Sequence, residues 1–330
     1  MATENEKQRI VTTIVPGEAE GIRLDQYLAN RFTYRSRTVW QRCIRSGEIL
    51  LNGRKTASSR PVHSGEVIIF IPPEEDLIEP PVRTDYTILA ETDDFLVVNK
   101  PGNLPVHPSG CYFNHTLQRL LSADLGKIVH PVNRLDRETS GVVLFAADGR
   151  KAAQLADLFA AGEGKIRKTY HAIVFGDFPD TVSAEGFLCS DPDSKIDKKQ
   201  KFILKKDVSV LTDAMTDAKT DFRCLKRKNG LSLVECMPET GRLHQIRATL
   251  CSLGYPLAGD KMYGPDPAIF LRYIDDTMTE ADRTLLRLDH QALHAAYLRF
   301  RSPFTGETLE LSAPMPDDMA QIAEPLLKKE

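Results

Sequence analysis

The sequence predicts an α+β protein with a small N-terminal α+β module and a larger second domain. Short apolar runs rich in β-branched and aromatic residues alternate with segments of helical periodicity along the 330 residues. The clearest strand is the continuous apolar run 142–146, which directly follows a glycine. This mixture of strands and intervening helices agrees with the α+β class, but it would not by itself specify that fold.

The composition is that of a globular protein. Hydrophobic residues make up 42% of the chain and charged residues 27%, and no run approaches the roughly 20 apolar residues of a membrane span. The first ten residues are polar and mixed in charge, unlike a signal peptide. The six cysteines form no C-x-x-C pair, which favours reduced thiols. We therefore expect a cytoplasmic protein without a membrane segment.

Charge is distributed unevenly along the chain. The net charge is −3, yet residues 21–70 contain nine Lys and Arg against three acidic residues. Such a basic face fits a nucleic-acid partner even when the remainder is acidic. Residues 72–81 are acidic and proline-rich, so they mark a boundary. The predicted division is an N-terminal tail (1–18), a basic module (19–72), a linker (73–84), a large domain (85–316) and a C-terminal tail (317–330).

The basic module is predicted to contain two helices and a hairpin. Apolar residues between Leu24 and Phe32 recur at helical spacing. Ser36 is the predicted N-cap of a second helix, which Gly47 ends. Asn52-Gly53 stands between two apolar runs, which is a strong hairpin signal.

The large domain is predicted to alternate strands and helices. Strands are expected at 95–98, 142–146, 169–175 and 231–236. Residues 190–219 are polar and rich in Lys and Asp, so we expect an extended or mobile excursion there. A helix is predicted to open near Thr240, to bury Leu243 and Ile246, and to end at Gly254.

The most informative segment is HPVNRLDRETSGVVLFA at 130–146. Asp136 is flanked by Arg134 and Arg137 and stands just before the predicted buried strand. A carboxylate in this position is held by rigid scaffold yet lies at its edge, which suits a group that reacts with a substrate. An Asp–Arg ion pair in a turn is the alternative interpretation of these residues alone.

This segment resembles the signature of the RluA-type pseudouridine synthases, H-R-L-D-x-x-T-S-G followed by an apolar strand. Asn133 stands where most members of that family have His. Two further segments resemble family signatures: VVNKPGNLPVHPSG at 97–110, and TGRLHQIR at 240–247 with LGYPLAGDKMYG at 253–264. The resemblance runs in the correct order from about residue 20 to 316.

The basic module resembles the α-L RNA-binding module first known from a small-subunit ribosomal protein. Arginines in such a module neutralise phosphates and stack on exposed bases. A merely solvated basic helix face is the alternative. The candidate RNA-binding residues of this module are Arg35, Arg37, Arg42, Arg45, Arg54 and Lys55.

The resemblance implies isomerisation of a uridine within an RNA chain to pseudouridine. The N1–C1′ bond breaks, the uracil turns, and a C5–C1′ bond forms. Asp136 would be the catalytic carboxylate and Arg247 its ion-pair partner. Tyr170 would pack on the target base and is a candidate for removing the C5 proton. The base must leave the stack to react, and Arg134 would occupy the vacated space.

The resemblance also implies a bent, mainly antiparallel sheet in the catalytic domain. No cofactor and no metal are expected, because His107, His115 and His130 have no ligand spacing with Asp136. The expected partner is RNA, with large-subunit ribosomal RNA favoured over transfer RNA, and the expected state is a monomer. Further candidate RNA-binding residues in this domain are Lys100, His107, Arg242, His244 and Gln245.

Two other functions remain open from the residues alone. A nucleosidase would also use Asp136, but it needs a second carboxylate, for which Glu138 is the nearest in the motif. Such an enzyme would release free uracil. A non-catalytic RNA-binding or ribosome-assembly factor would leave the combination of Asp136, Tyr170 and Arg247 unexplained. The lysines of 195–206 fit either a solvated surface or RNA contact.

Overall fold

The chain divides into two compact units, Met1–Pro81 with Pro108–His115, and Val82–His107 with Thr116–Glu330. The computed structural model describes residues 10–32, 35, 37–73, 79–160, 166–196, 198–208 and 210–327. The predicted N-cap Ser36 lies outside these residues. In the described ranges, no helix combines the length and the apolar character that a membrane crossing requires.

The first unit is a three-stranded antiparallel sheet with two helices. Its elements are β1 (Val11–Ile14), α1 (Leu24–Arg31), α2 (Arg37–Ser46), β2 (Ile49–Leu51) and β3 (Val67–Phe70). The strand order is β1-β3-β2. Asn52 and Gly53 both have positive φ, at 50° and 75°, which confirms the predicted turn. The predicted N-terminal tail is corrected, since β1 pairs with β3 and Val15 is buried in the core.

The core of the first unit forms around Trp40. Its ring meets Phe70 edge-on at 5.5 Å between centroids, and the predicted apolar residues of α1 and α2 surround it. Asp25 is fully buried and accepts hydrogen bonds from Arg23, Arg37 and Gln41. Burial opposes ionisation of this carboxyl, but those hydrogen bonds hold the pKa of Asp25 well below its ordinary value. Asp25 therefore ties α1 to α2.

The second unit contains one large sheet and six helices in its described part. Its strands are β4 (Thr87–Glu91), β5 (Phe95–Lys100), β6 (His130–Pro131), β7 (Ser140–Ala146), β8 (Ile166–Phe175), β9 (Thr181–Ser190), β10 (Gln200–Leu204), β11 (Thr216–Lys228), β12 (Leu231–Pro238), β13 (Leu293–Arg301) and β14 (Thr308–Ser312). Its helices are α3 (Leu117–Leu125), α4 (Gly149–Ala160), α5 (Gln245–Ser252), α6 (Ala268–Ile274), α7 (Glu280–Leu286) and α8 (Asp317–Leu327).

The sheet order is β10-β9-β11-β12-β8-β13-β7-β5-β4, with β14 beside β13 and β6 beside β7. Among the described strands, only the β7–β13 pair is parallel. This arrangement confirms the α+β class and the mainly antiparallel sheet. Strand β7 is buried along its whole length, as its continuous apolar sequence predicts.

Gly141 allows the contact between β7 and β13. Its φ is +111°, and a Cβ at this position would collide with the backbone of Ala295. Glycine is therefore required where the loop that carries Asp136 enters β7.

Two predictions about the polar segments of this unit are corrected. The predicted C-terminal tail forms α8 over 317–327, because Met319 and Ala323 share an apolar face that is buried against the sheet. The predicted excursion at 190–219 contains β10, which pairs with β9 and buries Phe202. In both segments a few apolar residues among many charged ones are enough to attach the backbone to the core.

Candidate active site

Asp136 lies in the loop 132–139, which leads into β7. The backbone carbonyl of Asp136 accepts a hydrogen bond from the Thr139 N–H at 3.1 Å, which forms a tight turn. Asn133 fastens this loop to the strand: its Oδ1 accepts from the Leu144 N–H at 2.7 Å, and its Nδ2 donates to the Val142 carbonyl at 3.4 Å. The residue that departs from the family signature thus has a structural role.

Arg247, on α5, connects two carboxylates. Its Nη1 donates to Asp136 Oδ2 at 2.7 Å, while its Nε and Nη2 donate to the two oxygens of Asp260 at 2.7 and 3.0 Å. Asp260 is fully buried and also accepts the N–H groups of Met262 and Tyr263. The bidentate pair fixes the orientation of the guanidinium toward Asp136. Asp260 was not among the predicted site residues, although it lies in the quoted motif GDKMYG.

The environment of Asp136 favours its ionised form. Burial raises the pKa of this carboxyl, but the Arg247 guanidinium outweighs burial and holds the pKa below its ordinary value. The Asp136 side chain remains 30% exposed, whereas that of Asp260 is 0% exposed. Asp136 is therefore the member of this triad that a substrate can reach, and it is a carboxylate at neutral pH, as a nucleophile must be.

Tyr170, on β8, lines the same cavity of about 100 Å³ as Asp136. Burial and the negative charge of Asp136 raise the pKa of the Tyr170 hydroxyl above its ordinary value. The phenol is therefore protonated at neutral pH. This favours packing on the base over removal of the C5 proton, which needs a basic group.

Tyr263 contacts both Arg247 and His244. His244 precedes α5 with a φ of 53°, and its Nδ1 lies 3.0 Å from the Tyr263 hydroxyl. Burial lowers the pKa of His244 to about 4, so the imidazole is neutral at physiological pH. The guanidinium of Arg247 lies 4.8 Å from the centroid of the Tyr263 ring. The Tyr263 hydroxyl also accepts the N–H of Gln200, which attaches β10 to the site.

Gln291 is a further neighbour of Asp136 that no sequence signal identified. It is 1% exposed, its Nε2 lies 3.5 Å from Asp136 Oδ2, and the same nitrogen donates to Thr139 Oγ1. Gln291 is separated from Asp136 by 155 positions, so only the fold brings them together.

Helix α5 differs from its prediction at the first turn. It begins at Gln245 rather than near Thr240, and Leu243 is 54% exposed instead of buried. Ile246 packs in the core as expected, together with Leu250.

Three candidate RNA-binding residues of the second unit stay accessible, and two of them line the cavity of Asp136. Arg134 is exposed, lines the cavity and forms no ion pair within the described chain. Arg242 lines the cavity while its Nε donates to the Asp217 carbonyl at 3.1 Å. His107 is half-buried, and burial together with the charge of Arg134 lowers its pKa.

In the first unit, the candidate arginines differ in their surroundings. Arg35 lies against the rings of Trp40 and Phe70, at 5.4 and 5.1 Å from their centroids, and Arg37 pairs with the buried Asp25. The side chains of four other candidate residues are exposed: Arg42, Arg45, Arg54 and Lys55.

Lys100 is corrected from an RNA contact to an internal clamp. It is 0% exposed, and its Nζ donates to the carbonyls of Pro101, Leu104 and Arg137 at 2.9, 2.8 and 3.0 Å. These three bonds use the three protons of the ammonium group. Because Arg137 directly follows Asp136, Lys100 holds the loop of Asp136 in place.

Gln245 is corrected for the same reason. It is 4% exposed, and its amide nitrogen donates to the Lys219 carbonyl at 3.0 Å and to Thr220 Oγ1 at 2.9 Å. Its amide oxygen accepts from Thr240 Oγ1 at 2.7 Å and from the Arg242 N–H at 3.0 Å. No donor or acceptor of this side chain is left for RNA.

We expect Lys100→Met to lower the free energy of unfolding by about 3 kcal/mol or more, because it leaves buried carbonyls without donors. Denaturant unfolding measures this loss. Lys127→Met, at an exposed ion pair, is the control and should change stability by about 0.5 kcal/mol or less. Weakened RNA binding by Lys100→Met at unchanged stability would instead restore Lys100 as an RNA contact.

Glu138, the second carboxylate of the loop, is engaged elsewhere. Lys261 Nζ donates to both of its oxygens at 3.0 and 3.1 Å, and Arg137 donates to it at 2.9 Å. Both oxygens of this carboxylate are thus held by cations of the protein and are not free to act on a substrate. This disfavours the two-carboxylate chemistry of a glycoside hydrolase.

Comparison with known proteins identifies the family. A family model described as RNA pseudouridylate synthase matches residues 94–252. The chain is 32% identical to the uncharacterized RNA pseudouridine synthase YlyB of Bacillus subtilis, over 94% of this chain and 96% of that protein. It is 33% identical to the ribosomal large subunit pseudouridine synthase D of Neisseria meningitidis serogroup A, over 96% and 82% of the two chains.

The fold is also shared with a solved structure. The human RNA pseudouridylate synthase domain containing 1 aligns with a TM-score of 0.55 and 22% identity, covering 76% of this chain and 98% of that one. The chain thus has the fold of these enzymes, and it belongs to the RluA-type family of RNA pseudouridine synthases.

Proposed function

We propose that this enzyme converts uridines of large-subunit ribosomal RNA to pseudouridine with Asp136 as the catalytic carboxylate. The observation that carries the proposal is the Asp136–Arg247–Asp260 triad. Of its two carboxylates, that of Asp136 is partly exposed and lines a cavity. Relatives named for the ribosomal large subunit, which match nearly the whole chain, support the choice of RNA.

Each residue has a defined part in this proposal. The ionised Asp136 attacks the uridine, at the sugar carbon or at the base, and so promotes cleavage of the glycosidic bond. Arg247 keeps Asp136 charged and oriented, and Tyr170 packs on the turned uracil. Arg134 enters the space that the flipped base leaves. The exposed cations Arg42, Arg45, Arg54 and Lys55 and, near Asp136, Arg242 bind RNA phosphates.

Pseudouridine mapping of ribosomal and transfer RNA, from cells with and without the gene, tests the choice of substrate. We expect one or more sites in large-subunit ribosomal RNA to return to uridine when the gene is deleted. Expression of the intact gene should restore them, and expression of the Asp136→Asn variant should not. If pseudouridine is lost from transfer RNA alone, then transfer RNA is the substrate and ribosomal RNA is not.

A further inference from the structure

A larger cavity opens next to the candidate active site. Pairing between β12 and β8 ends at Cys236 and Tyr170, while the first residues of β8, 166–169, remain paired with β13 on their other edge. The two strands therefore part just beyond Tyr170. The cavity between them has a volume of about 910 Å³. It shares the lining residues Lys168 and Pro238 with the cavity that contains Asp136, so the two cavities are adjacent.

Lys168 stands at the junction of the two cavities. Its side chain is half-buried and has neither a hydrogen bond nor an ion pair in the described part of the chain. A lysine that is partly removed from water normally has a partner. Of the acids that line the larger cavity, Glu239 pairs with Lys219 through Oε1 at 2.7 Å, and Asp221 accepts from Ser183 Oγ. Burial lowers the pKa of Lys168, and no carboxylate opposes that shift.

Three arginines also line the larger cavity, namely Arg167, Arg299 and Arg301. Arg167 and Arg299 are cross-strand partners, so two positive charges are neighbours on this part of the sheet. Arg299 pairs with Glu310 at 3.3 Å, but Arg167 has no ion pair among the described residues. Arg301 donates its Nε to the Gly306 carbonyl at 2.7 Å and forms no ion pair there either. Lys168, Arg167 and Arg301 are thus cations that lack a carboxylate.

We propose that the RNA backbone beside the target uridine lies in this cleft, with Lys168 Nζ on the adjacent phosphate and Arg167 and Arg301 on phosphates farther out. A chain of phosphates supplies anions at the spacing of a strand, whereas a single bound anion would satisfy only one of the three cations. Phosphate contacts of this kind set the position of the nucleic acid without reading its sequence. The inference rests on the proposed function, because it takes the nucleotide at Asp136 to be part of an RNA chain.

The test compares variants of the full chain on an in vitro transcript of large-subunit ribosomal RNA. The variants are Lys168→Gln and the double change Arg167→Gln with Arg301→Gln. Affinity is measured across a range of KCl concentrations, and pseudouridine formation is measured at limiting and at saturating RNA. Lys168→Arg is the rescue variant. Lys226→Gln, an exposed lysine on β11 that lines neither cavity, is the matched control.

We expect Lys168→Gln to weaken RNA binding about tenfold, as for loss of one charge-assisted hydrogen bond. The slope of log affinity against log salt should fall by about 0.7 for each single-strand phosphate contact removed. Lys168→Arg should recover most of the affinity, and Lys226→Gln should match the wild type. The double arginine variant should lose activity at limiting RNA and regain it at saturating RNA.

Two results separate this inference from the proposed function. Unchanged affinity and salt slope in both cleft variants, with Asp136→Asn inactive, would overturn the path of the RNA and leave the chemistry standing. Full activity of Asp136→Asn would remove the proposed function itself, whatever the cleft variants do.

Discussion

Asp136→Asn is expected to reduce pseudouridine formation by about four orders of magnitude or more, the scale seen when a nucleophile is removed. The amide has the same shape and can still accept from Arg247, so folding and RNA affinity should stay close to those of the wild type. Single-turnover conversion of a ribosomal RNA transcript measures the rate, and filter binding measures the affinity.

Glu138→Gln is the matched control for this change, because Glu138 lies in the same loop and its amide can still accept from Lys261. We expect this variant to retain activity within about tenfold, since no step of the proposed chemistry uses that carboxylate. Release of free uracil by the wild type would contradict the isomerase mechanism. If Asp136→Asn and Glu138→Gln both abolished that release to the same extent, a two-carboxylate hydrolase would be favoured.

Arg247→Met is expected to lower the free energy of unfolding by about 3–5 kcal/mol, because it leaves the buried carboxylate of Asp260 without its cation. The same change removes the group that holds the pKa of Asp136 down. Burial then raises that pKa, so the acid limb of the activity profile should move to higher pH. Denaturant unfolding and the pH dependence of single-turnover rates measure the two effects.

The two aspartates that Arg247 joins should contribute to the pH dependence of stability with opposite sign in the wild type and in Arg247→Met. In the wild type, the pKa values of Asp136 and Asp260 are lowered by folding. Their contribution to the free energy of unfolding is therefore present above the ordinary Asp pKa of about 3.9, and it is lost as the pH falls through the pKa values of the folded state. In Arg247→Met, burial without the cation raises the pKa of Asp260 in the folded state above its value in the unfolded state. The variant should therefore lose less stability relative to the wild type near pH 4 than at pH 7.

Arg272 provides the control, because it also joins two carboxylates, Asp266 and Asp282, but is 33% exposed. Arg272→Met should cost less stability than Arg247→Met, and it should leave the acid limb of activity unmoved. An unmoved acid limb in Arg247→Met as well would contradict the role of Arg247 in keeping Asp136 ionised.

The local features of the fold could be predicted because each depends on neighbouring residues. The apolar run of β7, the helical faces around Trp40 and the Asn52-Gly53 turn follow from spacing and backbone preference. The signature loop with Asp136 and the motif that ends at Arg247 were recognised for the same reason. The segments at 11–14, 200–204 and 317–327 were missed, because only a few apolar residues in each mark a contact with a distant core.

The sequence by itself, through contiguous motifs that resemble those of a known family, predicted the class of fold and the pairing of Asp136 with Arg247. Only the tertiary structure decided which polar residues of those motifs are free. The side chains of Lys100 and Gln245 form internal hydrogen bonds, whereas that of Lys168 forms none with the residues that the structure describes. The reason is that a lysine or glutamine looks the same in sequence whether it faces RNA or a carbonyl. Its partner is set by chain segments far away, which the fold alone brings within hydrogen-bond distance.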